Sequence, residues 1–165
     1  VNYPVLIHVR SAQPQRNWLV ALLAVLDSAA IQLATNPQAP QGPARVVLRQ
    51  GITTIRDIAR AEGIPVDDDP SPDDPIALPY EEFAGAILRL QSLGYTLTRD
   101  VEEAWPHFRG WRINYEGAAY ELARRIDAVP VVWSGPRTPP LQAMEPLRQV
   151  NRLPGGGSGR PVRGQ

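Results

Sequence analysis

Four stretches of this chain carry apolar residues at helical spacing, separated by stretches rich in Pro, Gly and Asp. The first, Asn17–Thr35 (NWLVALLAVLDSAAIQLAT), is apolar nearly all round, interrupted only by Asp27, Ser28 and Gln32. A helix apolar on every side belongs in a core or a membrane. At about 1.5 Å per residue the apolar run barely reaches across a hydrocarbon layer. A carboxylate near its middle costs about 2.5–3.5 kcal/mol on insertion scales. The expectation is a central buried helix rather than a membrane span.

A second helix is predicted from near Pro43, which suits a first helical position, to Glu62, with Gly63 and Pro65 as its stop. Leu48, Ile52, Ile55, Ile58 and Ala59 share one side of it. Arg45, Arg49, Arg56 and Arg60 fall within about 60° of one another along the border of that side, at 100° per residue. A third helix, about Pro79–Leu93, places Phe83, Ile87 and Leu90 on one face, and Gly94 ends it. Between the second and third helices lies PVDDDPSPDDP (Pro65–Pro75), too rich in Pro and Asp for regular structure. Ile64–Glu82 carries seven acids and no base.

Asp100, with Glu103 three residues later, forms a capping box for the fourth helix. This helix contains an aromatic–arginine cluster, WPHFRGWRINYEGAAYELARR (Trp105–Arg125). With Trp111 at zero on a helical wheel, Phe108, Tyr115, Ala118, Leu122, Ile126 and Val129 fall within about 60–80° of it. Arg112, Glu116, Tyr120 and Arg124 then point away, and Glu121 with Arg125 forms an i,i+4 pair. A kink is expected at Pro106. Rings that stack on nucleic-acid bases stand exposed beside a positive groove. Here acids balance the arginines, so the rings are assigned to the core.

The ends carry less pattern. VNYPVLIHVR (Val1–Arg10) reads as a short strand or an extended lead-in, and one strand without a partner makes no sheet. After about Pro136 the chain is rich in Pro and Gly. A helical turn fits Leu141–Val150 although Pro146 interrupts it, and the final fifteen residues are expected to be disordered. The expected fold is all-α, a single compact bundle of four main helices within residues 1–137. It has an extended N-terminal lead-in, an acidic Pro-rich loop at 65–78, and a Pro/Gly-rich tail over 138–165.

Composition narrows the chemistry. The 165 residues are 43% hydrophobic, enough for one domain with a core. A formal net charge of zero gives no bulk attraction to nucleic acid or anionic lipid. The absence of cysteine excludes disulfides, thiol nucleophiles and cysteine-bound zinc. All seventeen basic residues are Arg, so Schiff-base chemistry and a P-loop lysine are excluded as well. Abundant Arg, Ala, Pro and Gly fit GC-rich codon usage. No signal peptide is visible, and a start at Val1 without Met is expected of an excised or processed product.

Candidate catalytic groups are sparse. His8 and His107 make a weak zinc pair, and a satisfied structural role is the alternative for each. GGGSGR (Gly155–Arg160) is not a nucleophile elbow, because Arg160 stands where a Gly is required. The acidic run suits a hard cation such as calcium, but Pro70, Pro72 and Pro75 occupy EF-hand ligand and glycine positions, which favours a solvated linker. No catalytic, cofactor-binding or metal residue is assigned, and no cofactor is expected. The candidate partner or lipid surface is Arg45, Arg49, Arg56 and Arg60. Three readings stand for it: side chains resting on the core edge and pairing with nearby acids, contact with a partner chain, or contact with anionic phospholipid headgroups.

Four segments together resemble the cytosolic C-terminal region of bacterial two-transmembrane ion-channel proteins of the potassium-channel class. They are NYPVLIHVRS (Asn2–Ser11), NWLVALLAVLD (Asn17–Asp27), GITTIRDIARAEGIP (Gly51–Pro65) and AWPHFRGWRINYEGAAYELARRIDAVPVVWSGPR (Ala104–Arg137). The resemblance implies a helical domain on the cytoplasmic side of the bacterial inner membrane that regulates, stabilises or helps assemble a channel. Its partners would be its own transmembrane pore domain and neighbouring subunits, four around a tetrameric pore, with no nucleic acid. Val1 would lie just inside the membrane, with Arg10 and Arg16 following the positive-inside tendency. No TVGYG filter is present, so this chain does not conduct ions by itself, and the family's pore residues map to no position here. It also lacks the Gly-rich nucleotide fingerprint of Rossmann-type regulatory domains. Two other classes compete: a free-standing helical adaptor for a peptide, and a small hydrolase or metal enzyme using His8, His107 and the Asp run. For the last, spacing suggests no partner for a general base.

Overall fold

The computed structural model describes residues 17–126, 128 and 133. The regular structure among the described residues is all helical, five helices and no strand: α1 (Trp18–Thr35), α2 (Gly42–Ala61), α3 (Tyr80–Ser92), α4 (Val101–Arg112) and α5 (Glu116–Arg125). α1 is the central element, packed against α2, α4 and α5; α2 also meets α5, and α3 lies outermost against α4. The lead-in, the tail turn at Leu141–Val150, Val129, Arg10 and His8 lie outside the described residues.

α1 begins where the Asn17 side chain accepts the Leu19 N–H at 2.8 Å. Its Leu19, Leu23, Leu26, Ala30, Leu33 and Ala34 are buried. By length and composition alone the helix could cross a membrane; here just over half of it is buried in the bundle. Its last carbonyls are capped from the α3–α4 connection. Thr98 N–H (3.1 Å) and Arg99 N–H (3.0 Å) donate to the Thr35 carbonyl, and Arg99 Nη1 donates to that of Ala34 at 2.7 Å. Asn36 and Thr35 also meet the Tyr95 hydroxyl at 2.9 and 3.2 Å.

α2 crosses α1 at Gly51, where a Cβ would stand 2.3 Å from Leu26 Cδ2. The absent side chain lets the two backbones approach. α2 and α3 stop at the glycines expected to stop them: Gly63 at φ +70° and Gly94 at φ +92°, left-handed conformations that favour Gly. The Asp100 carboxylate caps α4 by accepting the Glu103 N–H at 2.7 Å. Phe83 stacks on Phe108 with centroids 4.7 Å apart and leans on Trp105 at 5.3 Å, which joins α3 to α4.

The helical segment expected to run through Trp105–Arg125 is instead two helices, so five stand where four were expected. Pro106 sits within α4, and the break falls at Ile113–Tyr115. Local hydrogen bonding favours that break. Asn114 Nδ2 donates back to the carbonyls of Gly110 (2.9 Å) and Trp111 (3.3 Å), and the Asn114 carbonyl receives the Arg56 guanidinium at 3.1 and 3.3 Å. The turn shifts the helical phase of α5 relative to α4. Phe108, Tyr115, Leu122 and Ile126 are buried as expected, but Trp111 and Ala118 are only half-buried. Arg112 is 0% exposed and Glu116 5%, which corrects the expectation that both face solvent. Tyr120 is half-buried, and Arg124 is exposed.

Candidate functional site

The proposed arginine stripe is not a free surface along its length. Arg56 donates to the carbonyls of Asn114 and Asp68, and Arg60 pairs with Asp57 at 3.2 Å and with the Asp68 carboxylate. Arg45 holds the Gln41 side chain at 2.9 Å and lies over the Trp111 ring at 5.6 Å. Arg49 is exposed, and no side-chain hydrogen bond or ion pair ties it to another described residue. Two of the four, Arg56 and Arg60, thus hold the acidic loop at Asp68.

That loop is anchored more firmly than a solvated linker. Arg109 donates to the carbonyls of Pro72 and Asp74, each at 2.5 Å, and Leu78 is 2% exposed. The Glu116 carboxylate accepts the backbone N–H groups of Ala77 (2.5 Å) and Leu78 (3.2 Å). No group of three or more His, Asp or Glu able to hold a metal ion occurs among the described residues, and His107 is exposed.

The densest polar chemistry lies inside the core. Arg112 Nη1 donates to Asp27 Oδ1 at 2.6 Å, and Nε donates to Glu116 Oε1 at 2.7 Å. Its Nη2 donates to the Tyr120 hydroxyl (3.0 Å) and to the Trp133 carbonyl (2.7 Å). Tyr115 Oη donates to the same Asp27 oxygen at 2.6 Å, while Asp27 Oδ2 is buried with no hydrogen-bond partner among the described groups. Three helices and the α4–α5 turn are thereby tied to one guanidinium. The rings of Phe108 and Trp133 lie 5.9 and 5.5 Å from its carbon.

Burial pushes the Asp27 carboxyl above its ordinary range, although Arg112 and Tyr115 pull the other way. The Tyr115 phenol is pushed well up, first by burial and then by the Asp27 charge. Tyr120 moves up by burial against the opposing Arg112 charge. For Arg112 burial works against the charge, but Asp27, Tyr120 and Glu116 outweigh it, and the guanidinium stays protonated. Arg112, Asp27, Tyr115 and Glu116 are all buried. What it does chemically is hold α1, α4, α5 and the loop in one register.

Two further surface features stand out among the described residues. The first is the outer face of α1, where Ala21, Ala24, Val25 and Ser28 are exposed beside half-buried Val20, Leu22, Ile31 and Gln32. It carries no charge. Val25 is 52% exposed, and the Ser28 hydroxyl is turned back onto the Ala24 carbonyl at 2.7 Å. The second is an open trough of about 400 Å³ between α3 and α4, lined by Tyr80, Ala84, Leu88, Asp100, Val101 and Glu102. Helical periodicity revealed neither the buried cluster nor these two surfaces. The signal for the cluster was Asp27, a lone charge in an apolar helix, which demands a buried cation. No family model, no curated protein and no solved structure matches the chain.

Proposed function

We propose that this chain is a helical assembly and regulatory domain of a bacterial potassium-channel-like membrane protein. In this reading it acts on the cytoplasmic side, with no catalysis of its own, by bringing neighbouring subunits into contact. The attachment to a channel is supported by the sequence resemblance alone. The assembly role is supported by one observation: an 18-residue helix whose solvent face holds Ala21, Ala24, Val25 and Ser28 and no charged group. The positions follow helical spacing, so they form one continuous stripe. Their small side chains let a second helix approach closely. A second copy is the occupant that fits, because the chain's net charge of zero sets up no bulk repulsion between copies.

The area decides how strong that contact is. The exposed stripe from Ala21 to Ser28 is about 11 Å long, and even a face running the whole helix, about 27 Å by 10 Å, offers only roughly 300 Å² per copy, well below the roughly 800 Å² per partner of a stable interface. The isolated chain therefore associates weakly. Copies tethered to one pore face each other at an effective concentration in the millimolar range, where a weak contact suffices. Sedimentation of the full chain across a concentration series tests this. Association weakened by Val25→Glu supports the reading; association indifferent to Val25→Glu removes it.

A further inference from the structure

We propose that the trough between α3 and α4 is the docking site for the chain's own tail, with Leu147 and Val150 seated in it and Arg148 and Arg152 on its acidic rim. Tyr80, Ala84 and Leu88 stand at i, i+4 and i+8 on α3, one face of the helix, over about 12 Å. Leu88 is 60% exposed and no described element covers it. The rim is acidic. Asp100 and Glu102 line it.

The tail has the opposite character. Residues 134–165 hold five arginines and one acid, Glu145. Leu141, Met144, Leu147, Val150 and Leu153 recur at every third position, with Pro139, Pro140, Pro146 and Pro154 around them. On an α-helix a three-residue period drifts about 60° per step and leaves no common face. On polyproline II, with three residues per turn, all five fall on one edge, repeating about every 9 Å. Such an edge matches aromatic-lined troughs, and two successive apolar side chains fill about 12 Å. Glu145 would be repelled by the rim, whereas Arg148 follows Leu147 directly and Arg152 stands two residues after Val150. That selects the second half of the repeat.

The tether reaches. Trp133 is fixed edge-on to Phe108 at 5.7 Å, and the ring row continues to Trp105 at 6.1 Å and to Tyr80 at 5.7 Å. Three ring contacts thus bound the distance from Trp133 to the trough. The thirteen residues 134–146 extend to about 40 Å as polyproline II, more than enough.

The chain has no cysteine, so Gly155→Cys gives a unique site for a nitroxide label in the full-length protein. The amide signals of Ala84, Leu88 and Val101 are expected to lose intensity selectively. That loss is expected to disappear in Leu88→Glu, and also in Arg148→Glu/Arg152→Glu, which leaves the five helices untouched. Uniform loss across the helices, or a selective pattern unchanged by the double tail variant, overturns the proposal. In a mixture of labelled chain without ¹⁵N and unlabelled ¹⁵N chain, no loss is expected. Loss there assigns the trough to a second copy's tail and also overturns it.

Discussion

Replacing Arg112 by Met removes the cation that two buried carboxylates share. Asp27 is 4% exposed and Glu116 5%, and they take the guanidinium at 2.6 and 2.7 Å. Met fills a comparable apolar volume, so the cost comes from charge rather than from a cavity. Taking one partner from a buried ionic cluster leaves an uncompensated charge, at about 3–5 kcal/mol. Total stability for a domain of this class is about 5–15 kcal/mol, so the variant sits near the edge of folding at neutral pH. The melting temperature is expected to fall by on the order of 10 °C, taking about 2–4 °C per kcal/mol for a chain of this size. Equilibrium urea unfolding of the full chain, followed by tryptophan fluorescence, reads the difference directly. The deficit is expected to shrink as pH falls, because protonating the stranded carboxylates discharges them. The control is Arg124→Met, which breaks the exposed Arg124–Glu121 pair and is expected to stay within about 0.5 kcal/mol. A loss at Arg112 below about 1 kcal/mol, the range of surface pairs, refutes the reasoning.

Single contacts set the remaining expectations. In Glu116→Gln the loop loses its charged acceptor, and the Ala77 and Leu78 amides should exchange with solvent faster while stability drops by about 1.5–3 kcal/mol; unchanged protection of both amides contradicts this. Gly51→Ala puts a methyl group against the fully buried Leu26, and overpacking of about 1–3 kcal/mol should appear as a lower urea midpoint; a more stable variant contradicts it. For Asp27, burial raises the folded pKa above the ordinary 3.8, so its contribution is greatest at low pH and is lost as pH rises through the folded value. Asn imitates the neutral form, so Asp27→Asn should gain on the wild type as pH rises above 3.8, and a difference constant with pH sinks that assignment.

The helix ends were legible from the sequence because each depends on local chemistry. Gly63 and Gly94 supply a left-handed residue, and Asp100 supplies a carboxylate three residues before an open N–H. The interior role of α1 was legible from an apolar run in which Asp27 is the one charged residue. The α4–α5 break was not, since the wheel through Trp105–Arg125 assumed one unbroken phase. The break depends on Asn114, whose side chain takes the α4 carbonyls, and on Arg56, which arrives from 58 residues away in sequence. Once the phase shifts, Arg112 and Glu116 turn inward toward Asp27. The partners of the arginine stripe, the Asp68 and Asn114 backbone among them, belong to distant segments that no helical wheel contains.

The most direct test of the assembly role is the self-association of the intact chain. Analytical ultracentrifugation up to millimolar concentration is expected to show reversible association with a dissociation constant in roughly the high-micromolar to millimolar range, as a small contact area implies. Val25→Glu, at a position 52% exposed, should leave the fold intact by circular dichroism and return the chain to monomer. A chain that stays monomeric throughout, or that associates equally well with a carboxylate at position 25, contradicts the claim that the α1 face joins copies.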